Sequence, residues 1–459
     1  MLKKLGFEKN FIAVLMTLAI PIILQSLITS SLNLLDNLMI GTLGENEIAA
    51  VGLSNQYYMI YYHAVMGISL GAGIFMSQLW GQKNIKEIHT FLGISLIFSI
   101  LTSFIFVIFA LISPEKIINI FTPDEIVTSL GVDYLRAVAL SYVFTSISLC
   151  YSVALRSTEQ TKIPMYGSIV GIIFNGILNY ILIFGKFGSP AMGVTGAAWG
   201  TTVARFMELL FIIVVVYRGK NNVAASLNSM LNFDLNYLKR FFKTASPVIF
   251  NDIMWIVGLS AYSIAYAKLG TNSTATMQIA STINNMFNIF GIGVACAAAI
   301  MIGNKIGAGK NEEAYDDALK ITNFGTISGI FMGAIVYLIS PFIADLFKIS
   351  PETHANVVSV LKIMAIFVPL RFYGVIQIIG VLRGGGDVIY AIGTELIAVW
   401  LVGVPLAFIG SIYLTLPITH LYFLICLEEP FKVIATYPRL KSGKWIKNLT
   451  ESESEPEYI

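Results

Sequence analysis

The 459-residue chain is 56% hydrophobic and 12% charged, with a mean hydropathy of +0.76 and a formal net charge of +2. Soluble domains carry about 25% charged residues, so the composition excludes a soluble enzyme. It points to an all-α membrane protein. A net charge this small supplies no field to gather nucleic acid or acidic partners, and none is expected.

The opening MLKKLGFEKNF runs into a long apolar stretch with no small-residue cleavage site, which reads as a first span and not a removed signal peptide. A span needs about 20 apolar residues to cross about 30 Å of hydrocarbon. The pattern predicts twelve, near 11–40, 52–79, 90–112, 133–155, 164–185, 194–217, 244–268, 277–302, 318–345, 358–382, 388–411 and 415–437. The basic, polar segment 218–243 then links an amino-terminal six-helix lobe, 1–217, to a carboxyl-terminal one, 244–437. A tail, 438–459, follows, and its charged end ESESEPEYI reads as disordered.

Most of the 29 lysines and arginines fall at the N-terminus (Lys3, Lys4, Lys9), on every second connection (Arg383 among them) and toward the C-terminal tail, with which Lys432 and Arg439 are counted. The opposite connections hold only Lys116, Lys186, Lys268 and Lys348. The positive-inside rule sets both termini in the cytoplasm of a multi-pass protein of the cell membrane. Cys150, Cys296 and Cys426 are scattered within apolar spans and odd in number, so they read as packing thiols.

The halves repeat one another. With residue 21 laid on residue 247, a shift of 226, Gly44 falls on Gly270 and Ala49 on Ala275. Further on, SQLWGQKN meets GNKIGAGKN with one insertion, and ALRS meets VLRG. Six helices per repeat, an even number, make both halves enter the membrane the same way, with a pseudo-two-fold axis along the membrane normal. Transporters of this kind hold substrate near the midplane and expose it to either side in turn.

An ionisable residue inside a span costs roughly 2.5–3.5 kcal/mol on insertion scales and so needs a reason. The first span carries Ser26, Thr29, Ser30, Asn33, Asp36 and Asn37 at helical spacing, with Asp36 its only carboxylate. A desolvated carboxylate can exchange a proton or hold a sodium ion, or it can be a structural Asp paired with amides. The fifth span offers Asn175 and Asn179, four apart; the sixth offers Thr201, then Arg205 and Glu208 at salt-bridge spacing. In the second half, Asn251, Asp252 and Trp255 follow Pro247, and Gln278 and Asn285 share a face of the eighth span. A carboxylate beside an indole suits an organic cation, so these five are the candidate substrate-binding residues. Tyr57, Tyr58, Tyr61 and Tyr62 form either an aromatic belt or a cavity wall. GAGKN at 307–311 looks like part of a phosphate loop, but Asn304 stands where that motif needs Gly and Asn311 where it needs Ser or Thr. No cofactor is expected, and transport is coupled to an ion gradient or passive.

Several segments together resemble the MATE (multidrug and toxic compound extrusion) transporters. They are IP at 20–21, DNLMIGTLG at 36–44, LRSTEQTKIPM at 155–165, GVTGAAWGTTVAR at 193–205, SPVIFNDIMW at 246–255 and VLRGGGD at 381–387. The resemblance implies cation-coupled (H⁺ or Na⁺) antiport that exports amphipathic, often cationic organic compounds by alternating access. The family's first-helix carboxylate maps onto Asp36, with Asn175, Asn179 and Thr201 as companions, and Asn33 joins them on the polar face of the first span. A helix-bending proline maps onto Pro21. The family's carboxyl-lobe ion site has Glu on the seventh helix and Asp on the tenth. Here the seventh has Asp252 and the tenth no carboxylate, while Tyr262 stands 226 residues after Asp36. Ion coupling is therefore assigned mainly to the first half, with a possible Na⁺ at Asp36. A lipid-linked oligosaccharide flippase of the same superfamily would need more basic residues inside its spans. A major-facilitator transporter would need a GxxxDRxGRR-like loop where WGQKNIKEIH stands. One chain already contains both lobes, so a monomer is expected to function.

Overall fold

The computed structural model describes residues 9–451. Lys3, Lys4 and the expected disordered end 452–459 lie outside the described residues. The described chain is helical, with no strand beyond an isolated antiparallel bridge between Gly386 and Ile446. In order it forms α1 (Lys9–Gly41), α2 (Glu45–Gly81), α3 (Ile85–Ile112), the short α4 (Pro114–Asn119), α5 (Glu125–Ser157), α6 (Lys162–Phe184), α7 (Gly193–Arg218) and the short α8 (Leu227–Leu231). Next come α9 (Leu235–Lys268), α10 (Thr271–Gly307), α11 (Asn311–Asp345) and α12 (Pro351–Val375), whose end continues as π-helical turns to Arg383. α13 (Val388–Ile397) and α14 (Val404–Phe408) form one interrupted rod with π-helical turns between and after them, followed by α15 (Ile418–Cys426) and α16 (Glu428–Lys441). Among the described residues eleven helices are long and apolar enough to cross a membrane. The twelfth expected span falls on α15 and α16, which are separated at Leu427.

Local chemistry sets the helix ends. The Asn84 side chain accepts from the Glu87 backbone N–H at the start of α3, and Asp124 and Ser350 cap α5 and α12 in the same way. The GAGKN segment is the turn between α10 and α11, with Gly309 at φ +75°, a left-handed conformation that glycine adopts without steric cost. α2 and α10 are each 37 residues long, and each starts just after one of the repeat glycines, Gly44 and Gly270.

By contacts the chain divides into two units, Leu24–Ile249 and Met1–Ile23 with Phe250–Ile459. In the first of these, α3 shows how a membrane helix is patterned. Leu101, Phe104, Ile105, Ile108, Phe109 and Ile112 recur at three- and four-residue steps and are all exposed, whereas Ser95, Ser99 and Ser103 are buried. The apolar stripe faces outward and small polar residues face the packing, as hydrocarbon solvent requires. Tyr61 and Tyr142 are fully buried and stacked, ring centroids 4.7 Å apart. The Tyr57–Tyr62 group is thus anchored in the core of this unit, because Tyr142 of α5 pairs with it.

In the second unit α11 and α12 pack closely. A Cβ at Gly329 would lie 2.8 Å from the Pro369 Cα, so only glycine allows this approach. The segment after α16 folds back: Trp445 is fully buried and donates to the Leu440 carbonyl at 3.1 Å, and the Lys447 backbone N–H donates to the Gly385 carbonyl at 2.8 Å. Asp387, also buried, receives Arg439 and Lys447, each at 2.6 Å. Its hydrogen bond holds the Arg439 guanidinium above its ordinary pKa. Two basic residues differ from expectation. Lys432, counted with the tail, and Arg383, counted with a connection, have side chains only 12% and 8% exposed. Each is drawn in by paired carboxylates.

Candidate ion-coupling and substrate sites

α1 brings Asp36 against α6 in the unit Leu24–Ile249. The two helices come close at Gly176 of α6, where a Cβ would meet the Leu35 side chain at 3.3 Å. α7 approaches α6 from another side through Gly196 and Gly200. A Cβ at Gly196 would lie 2.6 Å from the Leu182 carbonyl oxygen, and one at Gly200 would overlap the Asn179 carboxamide. These two glycines, four apart, are the small-residue face that lets helices meet in a membrane.

Asn179 Nδ2 donates to Asp36 Oδ1 at 2.5 Å and to Asn175 Oδ1 at 3.2 Å, and Asn175 Nδ2 donates to Thr201 Oγ1 at 3.3 Å. Both asparagines are fully buried, and Asp36 is half-buried. Among the described residues no Lys or Arg forms an ion pair with Asp36; its hydrogen-bond donor is a neutral amide. The sequence-predicted Asp36, Asn175, Asn179 and Thr201 therefore form one connected set. Asn33 is exposed on α1 and outside that set. A step of three residues turns it about 60° from Asp36 around the helix.

A second polar chain runs beside this set. Arg205 pairs with Glu208 at 2.8 Å, the intrahelical bridge expected from their spacing. Ser168 Oγ donates to Glu208 Oε1 at 2.9 Å, Gln25 Nε2 to Ser168 Oγ at 3.1 Å, and Arg156 Nη2 to Gln25 Oε1 at 2.6 Å. Gln25, Arg156 and Ser168 were missed in the sequence. Gln25 lies eleven residues before Asp36, three helical turns away, a spacing that offered a usable signal.

In the other unit Asn251 and Asp252 are held by α12 and α13. Asn251 Nδ2 donates to Glu395 Oε2 at 2.8 Å, Arg383 Nη2 donates to the same oxygen at 3.0 Å, and Arg383 Nη1 lies 3.6 Å from Asp252 Oδ1. Glu395 and Arg383 were not anticipated as partners; they come from helices more than a hundred residues further along the chain. Trp255 is 40% exposed on α9, and Gln278 and Asn285 are exposed on α10. The neighbouring Asn284 is the one that meets a buried charge, receiving Arg371 Nη1. Pro21 is enclosed within α1, two residues before the point where that helix passes from one contact unit to the other. Its missing N–H frees the carbonyl four residues back. Among the described residues no group of three or more His, Cys, Asp or Glu could hold a metal ion.

The family model described as MatE matches residues 21–181 and 247–409, one copy in each half. The chain is 25% identical over 439 residues to the Uncharacterized transporter YisQ of Bacillus subtilis, covering 94% of this chain and 95% of that one. It is also 25% identical over 408 residues to the Probable multidrug resistance protein YoeA of the same organism, covering 87% of each. Among solved structures it resembles an outward-facing multidrug resistance MATE family transporter of the MOP superfamily, with a TM-score of 0.86 at 19% identity over 96% of both chains. That likeness concerns the fold.

Proposed function

The chain belongs to the MatE family, and from that premise we propose that it is a cation-coupled antiporter exporting amphipathic, cationic organic compounds. The observation that carries the proposal is the partnership of Asp36: a half-buried carboxylate met by asparagine amides and paired with no basic side chain of the described residues. A largely buried carboxylate that forms no ion pair is costly to keep charged, and taking up one small cation removes the cost. H⁺ and Na⁺ are both small enough to be that ion. Asn179, Asn175 and Thr201 orient the carboxylate, and Asn33 stands on the same helix near the route to it.

The remaining parts of the reading follow from the same premise. α15 with α16 completes twelve spans as two six-helix lobes related along the membrane normal, with both termini cytoplasmic in the cell membrane and one chain sufficient for transport. Asp252, Asn251 and Trp255, with Gln278 and Asn285 on α10, offer charge, amides and an indole face to an organic cation. Pro21 supplies α1 with a place to bend.

The test is Asp36→Asn in everted vesicles, with dye efflux driven by an imposed pH gradient or, separately, a Na⁺ gradient. Gradient-driven efflux is expected to be lost while the variant inserts and purifies like the parent. Undiminished efflux removes Asp36 from the mechanism.

A further inference from the structure

The unit containing Phe250–Ile459 holds its own group of buried charges. α16 opens with Glu428 and Glu429, and Lys432 follows one turn later, so steps of three and four residues gather all three on one face. Lys432 Nζ lies 3.2 Å from Glu428 Oε1 and 3.4 Å from Glu429 Oε2. The second oxygen of Glu429 accepts from Arg371 Nε of α12 at 2.9 Å, and the second oxygen of Glu428 accepts from the Tyr262 hydroxyl of α9 at 2.5 Å. All four carboxylate oxygens are thus engaged, and two anions balance two cations. Two glycines make the room. A Cβ at Gly374 would meet the Lys432 stem and Glu429 at 3.5 and 3.7 Å, and one at Gly403 would overlap the Tyr262 hydroxyl and lie 2.8 Å from Glu428 Oε2.

Tyr262 occupies the repeat position of Asp36, 226 residues on. The carboxylate absent there is replaced by Glu428 from another helix, and it arrives with an ammonium attached to the same helix. Asp36 by contrast accepts from the neutral amide of Asn179 and, among the described residues, forms no ion pair. A lysine ammonium is a compact point charge with three rotatable donors, the closest side-chain likeness to a free monovalent cation.

We propose that Lys432 is a tethered cation. It permanently fills the space between Glu428 and Glu429, so this unit exchanges no coupling ion and each transport cycle carries a single one. Lys432 is a positioning residue in this scheme, and the assignment of that single ion to Asp36 rests on the function proposed above. Removing the ammonium leaves Arg371 as the single cation beside two buried carboxylates, with Glu428 unmatched, and a sodium-sized ion then fits the vacated place.

The experiment uses the full chain purified in detergent, with the first unit silenced by Asp36→Asn. Thermal midpoints are followed as choline chloride is replaced by NaCl at fixed ionic strength. D36N alone is expected to be insensitive to the exchange. D36N with Lys432→Ala is expected to gain a Na⁺-dependent rise on the order of a few degrees, which Glu428→Gln then abolishes. A purely structural lysine gives no such response. A Na⁺-dependent rise in D36N with Lys432 intact, or none in D36N/K432A, overturns the proposal. Should K432A not fold, the neutral pair Glu428→Gln with Lys432→Met serves, since exchanging both members of a buried pair for uncharged groups avoids a stranded charge. In proteoliposomes the parent and this pair are both expected to move one ion per substrate; any other stoichiometry in the parent, or a change in the pair, refutes it. Retained gradient-driven efflux in D36N would refute the Asp36 assignment while the Na⁺ response still judges Lys432.

Discussion

Replacing Gly200 by alanine tests the construction of the Asp36 site without touching any polar group. The new methyl would overlap the Asn179 carboxamide oxygen and lie 3.3 Å from its Cγ, but only at ordinary van der Waals distance, 3.4 Å, from the Asn179 backbone nitrogen. The side chain, not the helix, must therefore give way. Asn179 is fully buried and held by Asp36 and Asn175, so its displacement breaks both bonds. Overpacking of this kind costs about 1–3 kcal/mol, and loss of a hydrogen bond to a charged group is worth about 1.5–3 kcal/mol. The thermal midpoint should fall by several degrees, and ion affinity at Asp36 should change by about 10–100-fold, reducing gradient-driven efflux accordingly. Gly393→Ala is the control, since a Cβ there meets nothing within 4 Å. The decisive comparison is the double variant Asn179→Ala/Gly200→Ala. Removing the carboxamide removes the collision, so the double variant should be no less stable than Asn179→Ala, a coupling of about 1–3 kcal/mol. Additive losses, or a G200A protein indistinguishable from G393A, would refute the reasoning.

Gly403→Ala should disturb the charge cluster at the start of α16 by the same logic, because its methyl overlaps the Tyr262 hydroxyl and approaches Glu428. Tyr262→Phe is expected to restore much of the lost midpoint, which differential scanning fluorimetry would detect. Trp445→Ala empties a fully buried site and removes the bond to the Leu440 carbonyl. A loss of about 3–5 kcal/mol should free the segment after α16, read as new limited-proteolysis cuts between 442 and 450 with α15 left intact.

What was legible in the sequence depended on distance along the chain. Apolar runs reveal helices because the signal is local and the bilayer fixes its length, and the Asn175–Asn179 and Arg205–Glu208 pairs declare themselves by helical spacing. The tie between Asp36 and Asn179 spans 143 positions, and nothing in a single sequence joins them; the resemblance to transporters did. Glu395 is the instructive omission. It sits in a span read as plainly apolar, 144 positions from Asn251, so its partner could not be inferred from periodicity. Asn285 is singled out in the sequence because it shares a face with Gln278, whereas Asn284 does not. That face is exposed, and the adjacent residue, one step of about 100° around the helix, is the one that reaches Arg371. Lys432 falls near the end of the expected last span, 415–437, yet was counted with the tail, which treats every lysine near a helix end as solvated. The Glu-Glu-x-x-Lys spacing carried the opposite message.

These omissions share a physical cause that bears on mechanism. A buried charge in a membrane helix is tolerated when it is matched, and the match can come from any helix that packs nearby. Position in a repeat therefore predicts the scaffold better than it predicts the charge. Asp36 and Tyr262 occupy equivalent places in the two halves, yet one is a carboxylate with amide partners and the other a phenol holding a carboxylate that brings its own ammonium. Exchange of an ion requires that the occupied and vacant states differ by little free energy. A carboxylate surrounded by amides meets that condition, because the amides solvate the anion without cancelling its charge. A carboxylate locked to a lysine on the same helix does not, because vacating it would mean moving the lysine into hydrocarbon. Under the coupling proposed at Asp36, the two halves share a sequence register, and the partner at one position in each is what sets apart the half proposed to exchange an ion.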